Sequence, residues 1–225
     1  MRVLVACEFS GIVRDAFRAR GHDAWSCDLL PTEQPGNHIQ AETPGELFHI
    51  CYRGAAGAWD LMIAHPPCTY LSRAGARWWK RPGRAELADK AAEFVFTLRD
   101  APIPRICIEN PIGQLNTRWR YPDQTIQPWM FGHPYSKATC LWLKNLPPLT
   151  PTAVMGDYQA LLPSNVGHGR RKGQRSQRGV VHNAKDASRT FPGIAAAMAE
   201  QWGLASRRAS SASPSIHPRR RSSWT

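Results

Sequence analysis

A chain of 225 residues that is 42% hydrophobic has the apolar material for one α/β domain with a real core, and little room for a second domain of independent stability. No apolar run is long enough to cross a bilayer, and the opening Arg2–Cys7 run is too short for a secretory leader and leads into Glu8, so a soluble intracellular protein is expected. The six cysteines lie mostly inside apolar runs with no pair at the two-residue spacing of a zinc or redox site, which points to reduced thiols and to no metal.

The net charge of +12 is concentrated. Residues 1–167 carry 17 Lys and Arg against 15 Asp and Glu, whereas residues 168–225 carry 12 against 2. Such a basic end is either a solvated tail or a segment that attracts a phosphate backbone through counterion release, and nucleic acid is the partner it favours.

In chain order, Arg2–Cys7 predicts a first strand rich in β-branched residues, followed by a turn at Phe9-Ser10-Gly11 and an amphipathic helix carrying Val13 and Phe17. Gly11 permits close backbone approach to a ligand at such a turn. Arg14 is either a solvent-facing helix residue or a cation beside a bound carboxylate. Gly21 stops the helix, and Ala24–Leu29 predicts a second strand ending at Asp28, where a carboxylate either accepts from ribose hydroxyls or caps the turn before Pro31. Residues 33–57 have loop composition with a short helix over Gly45–Tyr52 and a possible third strand at His38-Ile39-Gln40.

Leu61-Met62-Ile63-Ala64 then predicts a buried strand, which stops at His65-Pro66-Pro67-Cys68 with a stiffened backbone and a thiol at its tip. Cys68 is either a small buried side chain or a nucleophile. Ser72–Gly83 mixes glycines, four cations and Trp78-Trp79, which suits a loop that closes on a nucleic-acid strand and presents ring faces to bases; the plainer reading is a surface loop with one Trp packed inward. Glu86–Leu98 predicts a helix with Leu87, Ala91, Phe94 and Val95 inward. Ile103–Ile108 predicts a parallel strand that ends at Glu109-Asn110-Pro111, a simple terminator or an acid delivered to the same crevice.

Farther on, Lys137 and Thr139 precede an apolar strand over Cys140–Leu143. Residues 147–163 look irregular, and 164–190 form a glycine-rich basic loop with Arg170 and Arg171. An alanine-rich helix spans Pro192–Trp202, and residues 204–225, dominated by Ser, Arg and Pro, predict a disordered tail.

Phe9-x-Gly11, Pro67-Cys68, Glu109-Asn110 and the basic strand entry at Lys137, in this order, resemble motifs of the DNA (cytosine-5) methyltransferases, in a small phage-like form without a separate target-recognition domain. The resemblance touches residues 1–203 as scattered motifs, and two glycines that follow the family's Phe-x-Gly are replaced here by Val13 and Arg14. It implies a Rossmann-like, doubly wound α/β sheet of the S-adenosylmethionine-dependent methyltransferase type, in a cytoplasmic bacterial or phage-infected setting, with a monomer favoured. It also implies transfer of a methyl group from S-adenosylmethionine to carbon 5 of cytosine in DNA, through a covalent cysteine adduct. Cys68 becomes the nucleophile, which a helix start or cation should favour as thiolate; Glu109 the acid for ring nitrogen 3, with a pKa raised by burial; Lys137 a basic contact to the target. Phe9, Ser10, Gly11, Arg14, Asp28, Leu29 and Pro67 fall on the donor side. Pro67, Ser72, Asn110, Thr139, Trp78, Arg170 and Arg171 fall on the substrate side, where a base in duplex must be flipped out or presented single-stranded. Two alternatives keep the scaffold: a different substrate or a bulkier group on the donor, or a non-catalytic DNA-binding protein.

Overall fold

The computed structural model describes residues 1–52, 59–157, 159–163, 180–182 and 189–210. A seven-stranded sheet runs through it in the order β3-β2-β1-β4-β5-β8-β6. Its strands are β1 (Arg2–Ala6), β2 (Asp23–Asp28), β3 (His38–Gln40), β4 (Leu61–Ala64), β5 (Arg105–Pro111), β6 (Gln124–Ile126) and β8 (Thr139–Lys144). The first five are mutually parallel, and β8 runs antiparallel between β5 and β6. One reversed strand near the edge of a doubly wound parallel sheet is the arrangement expected of the methyltransferase-type Rossmann fold.

The central strands read as continuous apolar runs because both faces are covered. Leu4, Met62, Ile106, Ile108 and Trp142 face one layer, with α2 (Pro44–Tyr52) and α3 (Arg84–Arg99) over it. Val3, Val5, Leu61, Ile63 and Leu141 face the other, under α1 (Ile12–Arg18) and the last helix, α4 (Pro192–Ser210). Alternation along each strand sends neighbours to opposite layers, so a one-residue slip would exchange them.

Several expectations change. The Glu109 strand does not end at Ile108: β8 offers a ladder as far as Pro111↔Thr139, and Glu109 is a strand residue opposite Leu141. In α3 the buried face is Ala88, Ala92, Val95 and Leu98, while Leu87, one position off that stripe, is 40% exposed. Within the supposedly irregular 147–163 lies β9 (Gln159–Pro163), which joins β7 (Tyr135–Ser136) and β10 (Val180–His182) in a second, parallel sheet. The last helix continues to Ser210, past the expected start of the tail at 204. Residues 211–225 lie outside the described residues, as does most of the basic loop over 164–190. Among the described residues no helix is long and apolar enough to cross a membrane.

Candidate active site

The carboxyl ends of β4 and β5 are tied together. After Ala64, His65 still donates its backbone N–H to Ala6 (2.9 Å), and the two prolines then swing the chain out of the sheet. The Cys68 carbonyl accepts from the amides of Leu71 (3.0 Å) and Ser72 (2.8 Å), closing a tight turn. That turn is stitched to β5: Arg73 N–H donates to Ile112 O, Gln114 N–H to Leu71 O, and Asn110 Nδ2 to Pro66 O at 2.9 Å. Gly113 permits the approach, since a Cβ there would overlap the Leu71 carbonyl. The backbone thereby fixes where a thiol and a carboxyl stand relative to each other.

Cys68 is half-buried, and Glu109 and Lys137 both act on it electrostatically. Burial first, and then the Glu109 charge, push its thiol up, while Lys137 opposes them without prevailing. The expected cation is therefore in place, but the resting group is a thiol rather than a favoured thiolate. Glu109 departs from expectation in the opposite sense. Burial pushes it up, but the hydrogen bond and charge of His65, the charge of Lys137 and the Thr139 hydroxyl pull harder, so it lies below the ordinary carboxylate range rather than above it. His65 Nδ1 stands 3.4 Å from Glu109 Oε2.

On the donor side, Glu8 holds the place that the turn was expected to leave for a ligand. Its buried carboxylate accepts from the amides of Val13 (2.7 Å) and Arg14 (3.2 Å) and from Ser10 Oγ (3.2 Å), so α1 is capped by its own chain. Burial raises the Glu8 carboxyl, against the pull of His65 and these donors. Arg14 is neither solvent-facing nor available to a donor carboxylate: it is 0% exposed, with its guanidinium spent on Asp15, Ser26, Thr32 and the carbonyls of Gln34 and Pro35. Gly11, at φ +76°, makes room for that guanidinium rather than for a bound molecule. Asp28 stands half-buried at the end of β2, accepting from Leu30 N–H (2.9 Å), with its carboxyl raised by burial; Leu29 beside it is exposed.

Cys7, Glu8, Phe9, Ser10 and His65 enclose, with Arg189 and Thr190, a cavity of about 20 Å³. A sulfonium donor fits this corner in charge, because Glu8, Asp28 and Glu109 are gathered around a His65 whose Nε2 is buried without a partner. The space is too small for a nucleoside-sized molecule, and Arg189, one of its walls, makes two short bonds to Glu33 (2.7 and 2.9 Å).

On the substrate side, Cys68 opens into a cavity of about 500 Å³ that is also lined by Ser72, Trp78, Arg81 and Arg84. The Trp78 ring does not present free faces to bases, since Arg81 (3.7 Å) and Arg77 (4.7 Å) already lie over it; it holds guanidinium groups instead. Ser72 lines the cavity, but its hydroxyl is spent on Ala74 N–H. Asn110 and Thr139 were expected at the substrate, yet both are buried: Asn110 braces the Cys68 turn and Thr139 braces Glu109. Pro67 is exposed at the tip of the turn. Arg170 and Arg171 lie outside the described residues. A larger cavity of about 570 Å³, beside Trp119 and Trp142, opens at the start of β5 and the end of β8, remote from Cys68.

Sequence reasoning missed Glu8 and His65. The only signal for either was position, one after a strand and the other immediately before Pro-Pro-Cys. Among the described residues no cluster of His, Cys, Asp and Glu could hold a metal ion. No protein-family model and no curated protein matches the chain. Among solved structures, a candidate DNA modification methyltransferase encoded within an E. coli prophage shares 14% identity with it at a TM-score of 0.40, over 68% of this chain and 51% of that one. The chain thus spans about half the length of that protein.

Proposed function

We propose that this protein transfers a methyl group from S-adenosylmethionine to carbon 5 of cytosine in DNA, with Cys68 as the nucleophile. The observation that carries the reading is the electrostatic coupling of Cys68 and Glu109, which stand at the carboxyl ends of the adjacent parallel strands β4 and β5 and answer to the same Lys137. Such a pair suits a pyrimidine that must be attacked by sulfur on one side and protonated on the other. Its carbon 5 is a weak nucleophile until a thiolate has added to carbon 6.

The residues divide that work. Cys68 loses its proton and bonds carbon 6. Glu109 faces ring nitrogen 3 and the exocyclic amine, and Lys137 offsets negative charge near both. Asn110 and Gly113 keep the turn and β5 in register. The bound donor would supply an electrophilic methyl on a sulfonium centre; Asp28, Phe9 and Ser10 are the residues to hold it, and the surrounding carboxylates favour its positive charge. Arg81 and Arg84 offer cations to the flanking phosphates, and the base reaches Cys68 only when it is out of the stack.

Incubating the protein with S-adenosylmethionine and random-sequence DNA, then digesting and weighing the nucleosides, tests the reading. Methylated cytosine is expected from the wild type and none from Cys68→Ala. DNA containing 5-fluorocytosine should be trapped covalently on Cys68. A Cys68→Ala protein that still transfers would end it.

A further inference from the structure

Glu109 is held as a carboxylate, whereas attack on carbon 6 calls for a proton at ring nitrogen 3. Something must supply it. We propose that His65 is the proton-relay partner of Glu109, its Nδ1 giving Oε2 the proton that the carboxyl then delivers to ring nitrogen 3. This inference rests on the cytosine reading above.

The geometry that supports it is local. Nδ1 and Oε2 are 3.4 Å apart, with side-chain exposures of 10% and 20%, so the exchange is sheltered from bulk water. That separation is long for a hydrogen bond, as such contacts often are before substrate binds. On the other side of the ring, Nε2 is buried without a partner, and His65 lines the small cavity beside Glu8 and Ser10, whose volume holds roughly one water. The imidazole therefore touches Glu109 through one nitrogen and has the other free for refilling. Charged and titratable groups face it from every neighbouring strand end: Cys7 and Glu8 after β1, Asp28 at the end of β2 and Glu109 in β5. Each of these three carboxyls is stabilised as a carboxylate by a positive His65. The nearby cations are Lys137, which acts on Glu109, and Arg189, which is engaged with Glu33.

The step balances. Cys68 gives its proton to solvent and Nδ1 gives one to Oε2; the thiolate pair then forms the S–C6 bond, the C5–C6 π pair moves to C4–C5, and the C4–N3 π pair takes the proton from Glu109. His65 is left neutral. After the C4–C5 pair has bonded the donor's methyl, or a proton from water when no donor is present, ring nitrogen 3 returns its proton by the same route, a base takes the hydrogen from carbon 5, and that C–H pair re-forms C5–C6 as sulfur leaves.

The test follows release of the hydrogen at carbon 5 from labelled cytosine DNA without donor, a readout that needs thiol attack and protonation but no methyl transfer. Wild type should release the label, and Cys68→Ala should not. His65→Gln should release about tenfold to a hundredfold more slowly, with DNA binding unchanged. Added imidazole should restore His65→Ala but not Glu109→Gln. A wild-type rate in His65→Gln overturns the relay, as does a His65→Ala protein that binds DNA with wild-type affinity, releases label slowly and is not restored by imidazole. Absence of release by wild type and Cys68→Ala alike brings down the cytosine reading itself, and the relay with it. Release by wild type with His65→Gln unaffected brings down the relay alone.

Discussion

At the scale of single residues, burial and Glu109 together set the charge of Cys68. Burial is the larger reason that Cys68 stays protonated and the Glu109 charge is the second, so removing that charge lowers the thiol part of the way. Glu109→Gln should therefore raise the rate of Cys68 alkylation at neutral pH by a few-fold, whereas Lys137→Met should slow it. Rates against pH, followed by mass spectrometry of the Cys68 peptide, distinguish the two. That Cys68 and Glu109 would stand near each other was legible in the sequence because each follows an apolar run. Their ionisation was not, because it depends on His65 and Lys137, which only the fold brings to them. A histidine before two prolines reads as the end of a strand. Its bond to Glu109 exists because β4 and β5 are neighbours, and nothing in their separation along the chain announces it.

At the scale of elements, the strands of the parallel core were readable because continuous burial leaves a continuous apolar signature, as in β1 and β4. The boundary of β5 was not readable, because its last residues are held by β8 from a distant part of the chain. Arg14 misled for a related reason. A cation near the start of an amphipathic helix looks like surface, yet here it fills the space between α1 and residues 32–35 with bonds to both. Arg14→Ala should cost about 3 kcal/mol, leaving buried acceptors unpaired and a cavity behind, and a thermal melt should show the loss. Gly113→Ala should act differently, because its new methyl pushes against the Leu71 carbonyl and parts the Cys68 turn from β5. Covalent trapping on 5-fluorocytosine should fall more steeply than the melting temperature.

At the scale of the whole molecule, a nearly neutral first three quarters is joined to a strongly basic last quarter. Under the proposed function, that division makes attachment to DNA and chemistry on it separable. Deleting residues 211–225 removes Arg219, Arg220 and Arg221, and it should flatten the dependence of log affinity on log salt by about two to three while leaving release of the carbon 5 hydrogen at saturating DNA unchanged. Titration at several salt concentrations measures the first, and the label-release assay measures the second.

The two sheets meet at a short tether. Only Lys137 and Ala138 separate the end of β7, in the smaller sheet, from the start of β8, in the larger one. Lys137, whose charge acts on both Cys68 and Glu109, is therefore anchored from both sides, by one hydrogen-bonded sheet before it and another after it.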